Sequence, residues 1–166
     1  MSTKRYILTR EEAAQKLLRM SIQLAENLTD SDAPVILMGV KMNGLVLAEK
    51  VCEILKSYIP QSIQIIAVEL DKLNPMHVSI SETISFDGKN IVLIDDVANS
   101  GRTMLYALKP LLEASPRSIQ TMVLVERMHK LFPVNPDYVG LSLATTQADH
   151  IQVEVENGQV MGAFVC

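Results

Sequence analysis

Two adjacent carboxylates stand at the end of an apolar run in this chain. Ile91-Val92-Leu93-Ile94 leads into Asp95-Asp96-Val97 and then into Ala98-Asn99-Ser100-Gly101-Arg102-Thr103. Like charges side by side make each other harder to ionise, so a plain turn gains nothing from the pair. A polyhydroxyl ligand would use it. Carboxylates accept charge-assisted hydrogen bonds from vicinal sugar hydroxyls, and a bound Mg²⁺ would relieve their repulsion. The residues that follow suit a phosphate monoester. A buried strand that ends in a polar loop before a helix is where open α/β sheets bind ligands. The helix start offers unpaired N–H groups and a partial positive charge. Ser100 and Thr103 add hydroxyl donors, and Gly101 lets the backbone come close. The same residues also fit an acidic helix cap with a glycine turn, which leaves the second carboxylate without a task.

A second loop, Gly39-Val40-Lys41-Met42-Asn43-Gly44, has the glycine spacing of half a Walker A loop. Leu45 and Val46 stand where that motif needs Lys and Ser/Thr, so nucleoside triphosphate binding of that kind is excluded. What remains is a strand-to-helix turn with one cation, Lys41. His77, His129 and His150 are scattered, and neither HExxH nor a Cys/His cluster occurs, so no direct protein metal site is expected.

These loops need elements to hold them. Thr9 and Glu12 form a capping-box signature, and Ala13, Leu17, Met20, Leu24 and Leu28 follow at helical spacing, which predicts a helix to about Leu28. Val35–Met38 suits a strand buried on both faces. Leu45, Ala48, Val51, Cys52 and Leu55 mark a second helix. Ile63–Val68, Asn90–Ile94, Ile119–Val125 and Tyr138–Leu141 read as strands, Val78–Ile80 as a weak one. A helix is expected from about Gly101 to Ala114. Ile151–Val155 and Val160–Val165 flank Asn157-Gly158 as a hairpin. Alternating strands and helices imply a largely parallel sheet covered on both faces.

Composition narrows the class. The chain has 166 residues and is 48% apolar, which fits one domain, 1–166, with a proper core. There is no apolar run near the roughly 18 residues of a membrane helix, no N-terminal apolar h-region and no cysteine framework. A cytoplasmic protein without a membrane partner is expected. Net charge is −4, and none of the fifteen Lys and Arg lies beyond Lys130, where Asp137, Asp149, Glu154 and Glu156 stand. That tail would repel a phosphate backbone, so charge disfavours RNA as a partner.

Ile91–Thr103 as a whole resembles the thirteen-residue phosphoribosyl diphosphate motif of type I phosphoribosyltransferases. Gly39–Gly44, the stretch from Ile119 to Arg127 with His129 and Pro133, and Asp137-Tyr138-Val139-Gly140 are similar to the pyrimidine operon attenuation regulator and uracil phosphoribosyltransferase family. The resemblance covers nearly the entire chain and is weakest at residues 70–90. It implies a Rossmann-like α/β fold, a central parallel sheet with flanking helices and a small antiparallel hood. It also implies transfer of phosphoribosyl from 5-phosphoribosyl 1-diphosphate to a pyrimidine, uracil first, giving UMP and pyrophosphate. Mg²⁺, held mainly by the substrate, would be the cofactor, and the protein a homodimer or higher homo-oligomer.

By that resemblance Asp95 and Asp96 are the catalytic pair, and Ala98, Asn99, Ser100, Gly101, Arg102 and Thr103 hold the donor's 5′-phosphate. Lys41, Met42, Asn43 and Gly44 form the pyrophosphate loop, and Arg127 with His129 belongs to the base site. Three departures stand out. Asn43 replaces the family's usual Arg, Glu126 replaces its usual Asp, and Leu70–Lys89 is shorter than the mobile catalytic loop. The shortened loop favours the alternative function the same family offers, a nucleotide-sensing regulator that binds RNA without turnover. On the first helix, however, Ile22 and Asn27 stand where an RNA-binding face would want other residues.

Overall fold

The computed structural model describes residues 3–166. A six-stranded sheet has the order β4-β3-β2-β5-β6-β7. Its strands are β2 (Val35–Val40), β3 (Ile63–Leu70), β4 (Val78–Ile80), β5 (Asn90–Ala98), β6 (Ser118–Arg127) and β7 (Tyr138–Leu143). All pair in parallel except β4, which runs antiparallel to β3 along one edge. From the centre, the chain goes outward from β2 to β3 on one side and from β5 to β6 and β7 on the other. The reversal of strand order therefore falls between β2 and β5, where open α/β sheets leave a crevice at their carboxyl ends.

Burial alternates across this sheet as the strand period requires. Val35 and Leu37 of β2, with Val92 and Ile94 of β5, join one core cluster. Ile36, Met38, Val40, Ile91 and Leu93 join the other. The first cluster is closed by α1 (Arg10–Asn27) and α2 (Asn43–Leu55). The capping box at Thr9 is formed in both directions, Glu12 N–H to Thr9 Oγ1 at 3.2 Å and Thr9 N–H to Glu12 Oε2 at 2.8 Å. The second cluster is closed by α3 (Arg102–Ala107), Phe86 and Val134.

The hood is a three-stranded antiparallel sheet, β1-β9-β8, made of β1 (Arg5–Leu8), β8 (Ile151–Glu156) and β9 (Gln159–Val165). The expected hairpin is present. Asn157 (φ 49°) and Gly158 (φ 70°) are both left-handed, the conformation a two-residue hairpin turn requires. Strand β1 was not legible beforehand: four residues carry too little alternation, and pairing of Tyr6 with Phe164 and of Arg5 with Val165 is what makes them a strand.

One expected element differs in the structure. The helix predicted over Gly101–Ala114 stops at Ala107, and Lys109–Leu111 is a 3₁₀ turn. Pro110 has no N–H to donate and its ring crowds the carbonyl one turn back, so the apolar spacing continues where the α-helix cannot. The weak strand expected at Val78–Ile80 is present, and it anchors the short segment Leu70–Lys89. Val78, Ser79 and Ile80 pair with β3, Phe86 is buried in the second core cluster, and Lys109 Nζ holds Met76 O at 2.6 Å.

Candidate functional site

Strand β5 extends four residues beyond Ile94, so Asp95 and Asp96 lie within its carboxyl end and not in the loop after it. Asp95 pairs with Val123 of β6 and is 1% exposed; Asp96 is 8% exposed. Side-chain alternation changes phase across the pair, since Val97 packs in the first core cluster and Ala98 in the second, the reverse of residues 91–94.

The backbone partly satisfies both acids. Asp95 Oδ1 accepts the Asp96 N–H (2.8 Å), and Asp96 Oδ1 accepts the Val97 N–H (2.8 Å). Asp96 Oδ2 accepts the Asn43 amide at 2.9 Å. Asp95 Oδ2 is buried without a partner. Burial, and then the charge of Asp96, push the Asp95 carboxyl well above the usual carboxylate range; Lys72, 3.9 Å from Asp95 Oδ1, pulls it partly back. The pair is thus short of positive charge and donors, which a sugar hydroxyl or a cation would supply.

A cavity of about 260 Å³ opens beside the pair. Asp96 and all six residues of Ala98–Thr103 line one side, and Asn43, Lys72 and the hood residues Ile151–Val153 line the rest. In the loop, the N–H groups of Ser100, Gly101 and Thr103 find no acceptor among the described residues, and that of Arg102 turns to Ser100 Oγ at 3.2 Å. Gly101 has φ 85°, a conformation that costs an L side chain about 1–2 kcal/mol. The segment after β6 braces the loop from behind: Leu131 and Phe132 N–H both donate to Ser100 O at 3.0 Å. Because α3 has only six residues, the loop's own N–H groups are the main attraction for an anion.

The other expected residues divide. Gly44 packs against β5, where a Cβ would stand 2.6 Å from Ile94 O. Lys41 and Met42 form the turn between β2 and α2, joined by a cis peptide bond. Lys41 Nζ pairs with Glu69 at 3.2 Å and is not among the cavity-lining residues. Met42 is 79% exposed. Asn43 lines the cavity, but its amide nitrogen is committed to Asp96 and to Val153 O (3.0 Å).

Arg127 and His129 do not line the cavity. Arg127 is tied to Thr145 Oγ1 and Thr146 O, both at 2.7 Å, and so fixes the loop after β7. His129 is exposed. The half-buried Glu126 accepts from Lys130 Nζ and, at 2.7 Å, from Ser142 Oγ. Lys72 and Gln152 are polar cavity residues that the motif reading left without a role. Lys72 had one signal, being with His77 one of the two basic residues of Leu70–Lys89 before Lys89. Gln152 had none, because hood contacts depend on tertiary packing.

A Mg²⁺ ion would find hard oxygen donors here in Asp95 Oδ2 and Asp96. Among the described residues no three His, Cys, Asp or Glu side chains converge, so most of an octahedral shell would come from substrate and water.

The sequence model described as "Phosphoribosyl transferase domain" matches residues 6–157. The bifunctional protein PyrR of Enterococcus faecalis is 31% identical over 151 residues, covering 84% of this chain and 83% of that protein. Its namesake in Actinobacillus pleuropneumoniae is 29% identical over 163 residues, with 92% and 90% covered. Among solved structures, a ternary substrates complex of hypoxanthine phosphoribosyltransferase from Trypanosoma cruzi superposes with TM-score 0.77 at 14% identity, over 97% of this chain and 95% of that one. The Staphylococcus aureus hypoxanthine enzyme gives 0.72 at 15% identity, over 89% and 80%. At such identities the superpositions speak for the fold alone. With the domain match and the PyrR relatives together, the chain belongs to the type I phosphoribosyltransferase family and within it is similar to the PyrR proteins.

Proposed function

We propose that this protein transfers phosphoribosyl from 5-phosphoribosyl 1-diphosphate to uracil. The C1–O bond to diphosphate breaks with its electron pair leaving on oxygen, and a C1–N bond forms from N1 of the base. The N1 proton passes to diphosphate or solvent, and UMP and pyrophosphate are the products. The observation that carries the reading is one cavity lined by Asp96 of the buried acidic pair and, next to it, by a loop with three N–H groups that find no acceptor among the described residues. Those two features match the two ends of a phosphorylated ribose.

In this reading Ala98–Thr103 holds the 5′-phosphate, with Ser100 and Thr103 hydroxyls joining the backbone donors. Asp95 and Asp96 accept from the ribose hydroxyls. Their negative charge favours the positive charge that develops at C1 as the diphosphate departs. Mg²⁺, bound mainly by the diphosphate, supplies charge neutralisation at the leaving group. Lys72 lines the cavity with a half-exposed side chain and Lys41 stands in the turn before Asn43, where both can meet the departing anion. A pyrophosphate-release assay with donor, Mg²⁺ and a panel of nucleobases tests this. Release with uracil is the expected result, and release with hypoxanthine or guanine alone would reassign the acceptor.

A second reading, a nucleotide-sensing regulator that binds RNA, is favoured by one observation. Leu70–Lys89 is an anchored segment with an edge strand, not a long cover that could close over the reacting centre and exclude water. Net charge and the base-free last 36 residues weigh against it. Titration with leader RNA should show weak binding without sequence preference and with a shallow salt slope. Tight binding dependent on a uracil nucleotide would promote this second reading.

A further inference from the structure

The geometry points to Asn43 as a positioning residue that fixes the plane of Asp96 and ties it to the hood. This rests on the reading that Asp96 faces the ribose of the donor. An amide nitrogen has two protons, and Asn43 spends both inside the protein: one on Asp96 Oδ2 at 2.9 Å, the other on Val153 O at 3.0 Å. Its side-chain nitrogen has none left for a diphosphate oxygen, so of Asn43 only the backbone N–H remains to meet the leaving group.

Its two acceptors belong to different sheets. Asp96 lies in β5 of the six-stranded sheet and Val153 in β8 of the hood. The Asp96 carboxylate is thereby held at both oxygens, Oδ1 by the Val97 N–H at 2.8 Å and Oδ2 by Asn43. A carboxylate pinned at both ends cannot rotate, and its remaining lone pairs keep one direction toward the cavity. The same side chain sets the distance from the acidic pair to β8, where Ile151, Gln152 and Val153 form the opposite wall. The width of the cavity between the acidic pair and β8 is then set by one residue.

Asparagine suits this task better than the Arg usual at the position. A guanidinium on Asp96 would cancel the negative charge that the ribose needs opposite C1. A neutral amide orients the carboxylate and leaves its charge in place.

The test is a double-mutant cycle read by calorimetric titration of 5-phosphoribosyl 1-diphosphate with Mg²⁺. Asn43→Ala should lower donor affinity about tenfold. In the Asp96→Asn background the same change should have little further effect, because its route is gone. As a second variant, Asn43→Asp sets a carboxylate against Asp96 and should bind donor more weakly still. Asn43→Asp combined with Asp96→Asn restores the amide–carboxylate hydrogen bond with reversed polarity and should recover part of the melting temperature that Asn43→Asp loses, the bond to Val153 O staying absent. That rescue decides the matter even where Asn43→Ala fails to fold.

Full donor affinity in a well-folded Asn43→Ala, or an equal loss in both backgrounds, overturns the inference and leaves the proposed function standing. A wild-type protein that binds no donor at all overturns both.

Discussion

Gly44→Ala would separate the stability of the fold from the placement of the site. A Cβ on Gly44 would stand 2.6 Å from Ile94 O, 3.1 Å from Asp95 Cα and 3.3 Å from Asp95 Oδ1. Ordinary contact begins near 3.4 Å, so α2 and β5 must part by about 0.8 Å, the difference between 3.4 and 2.6. Both near atoms at the tightest points are backbone, and no side chain can swing away. Overpacking of this kind costs ~1–3 kcal/mol. Gly44 is also in the first turn of a helix, where alanine regains up to about 1 kcal/mol. The net loss of roughly 0–2 kcal/mol lowers the melting temperature by less than about 8 °C in a chain of this size.

Donor binding should suffer more, because the displacement falls on the acidic pair. A misplacement near 1 Å costs up to about a hundredfold in a positioned reaction. Melting curves and calorimetric titration of the donor with Mg²⁺ measure the two effects separately. Gly88→Ala is the control. Nothing lies within 4 Å of its Cβ, but its φ of +71° makes the change a strain remote from the cavity, so it should lower stability and spare affinity. Full donor affinity in Gly44→Ala would refute the claim that β5 and α2 hold the acids at a working distance.

Asp95 should make stability depend on pH in an unusual direction. Its folded value is raised, so above about 3.9, the value in the unfolded chain, the folded protein holds the proton more tightly. Its contribution to stability therefore falls as pH rises through that window. Melting temperatures of wild type and Asp95→Asn should lie close together near pH 4, with the variant increasingly the more stable toward neutral pH; parallel curves would contradict the buried-pair account. Lys72→Ala removes an ion pair whose cation is half exposed, so stability should change by less than about 1 kcal/mol. Donor affinity should fall several-fold, and more at low salt; unchanged affinity would remove Lys72 from the site.

The parts of this molecule that were readable in advance are those whose cause is local. The capping box at Thr9 needs only residues three apart, and the Asn157-Gly158 turn needs only two left-handed residues. The apolar runs of β2 and β5 are legible because a strand buried on both faces has no polar positions. The Ile91–Thr103 motif placed the acidic pair and its loop together, and both line or adjoin the one cavity. What escaped depends on distant pairing or on competition between local signals. Strand β1 exists through β9. Helix α3 is cut short by Pro110, although Leu108, Leu111 and Leu112 keep helical spacing beyond it. Arg127 belongs to a loop anchor that only the return of β7 creates, and Asn43 is legible as a loop residue but not as a tie to β8.

Calorimetric titration of 5-phosphoribosyl 1-diphosphate with Mg²⁺ measures whether Asp95 and Asp96 face the ribose of that donor. Each lost charge-assisted hydrogen bond costs roughly 1.5–3 kcal/mol, about tenfold to a hundredfold in affinity. Asp95→Asn with Asp96→Asn should therefore bind the donor far more weakly while keeping a melting temperature at or above that of wild type, since the repulsion within the pair is gone. Unchanged affinity with a lowered melting temperature would make the acidic pair a structural cap and contradict the account.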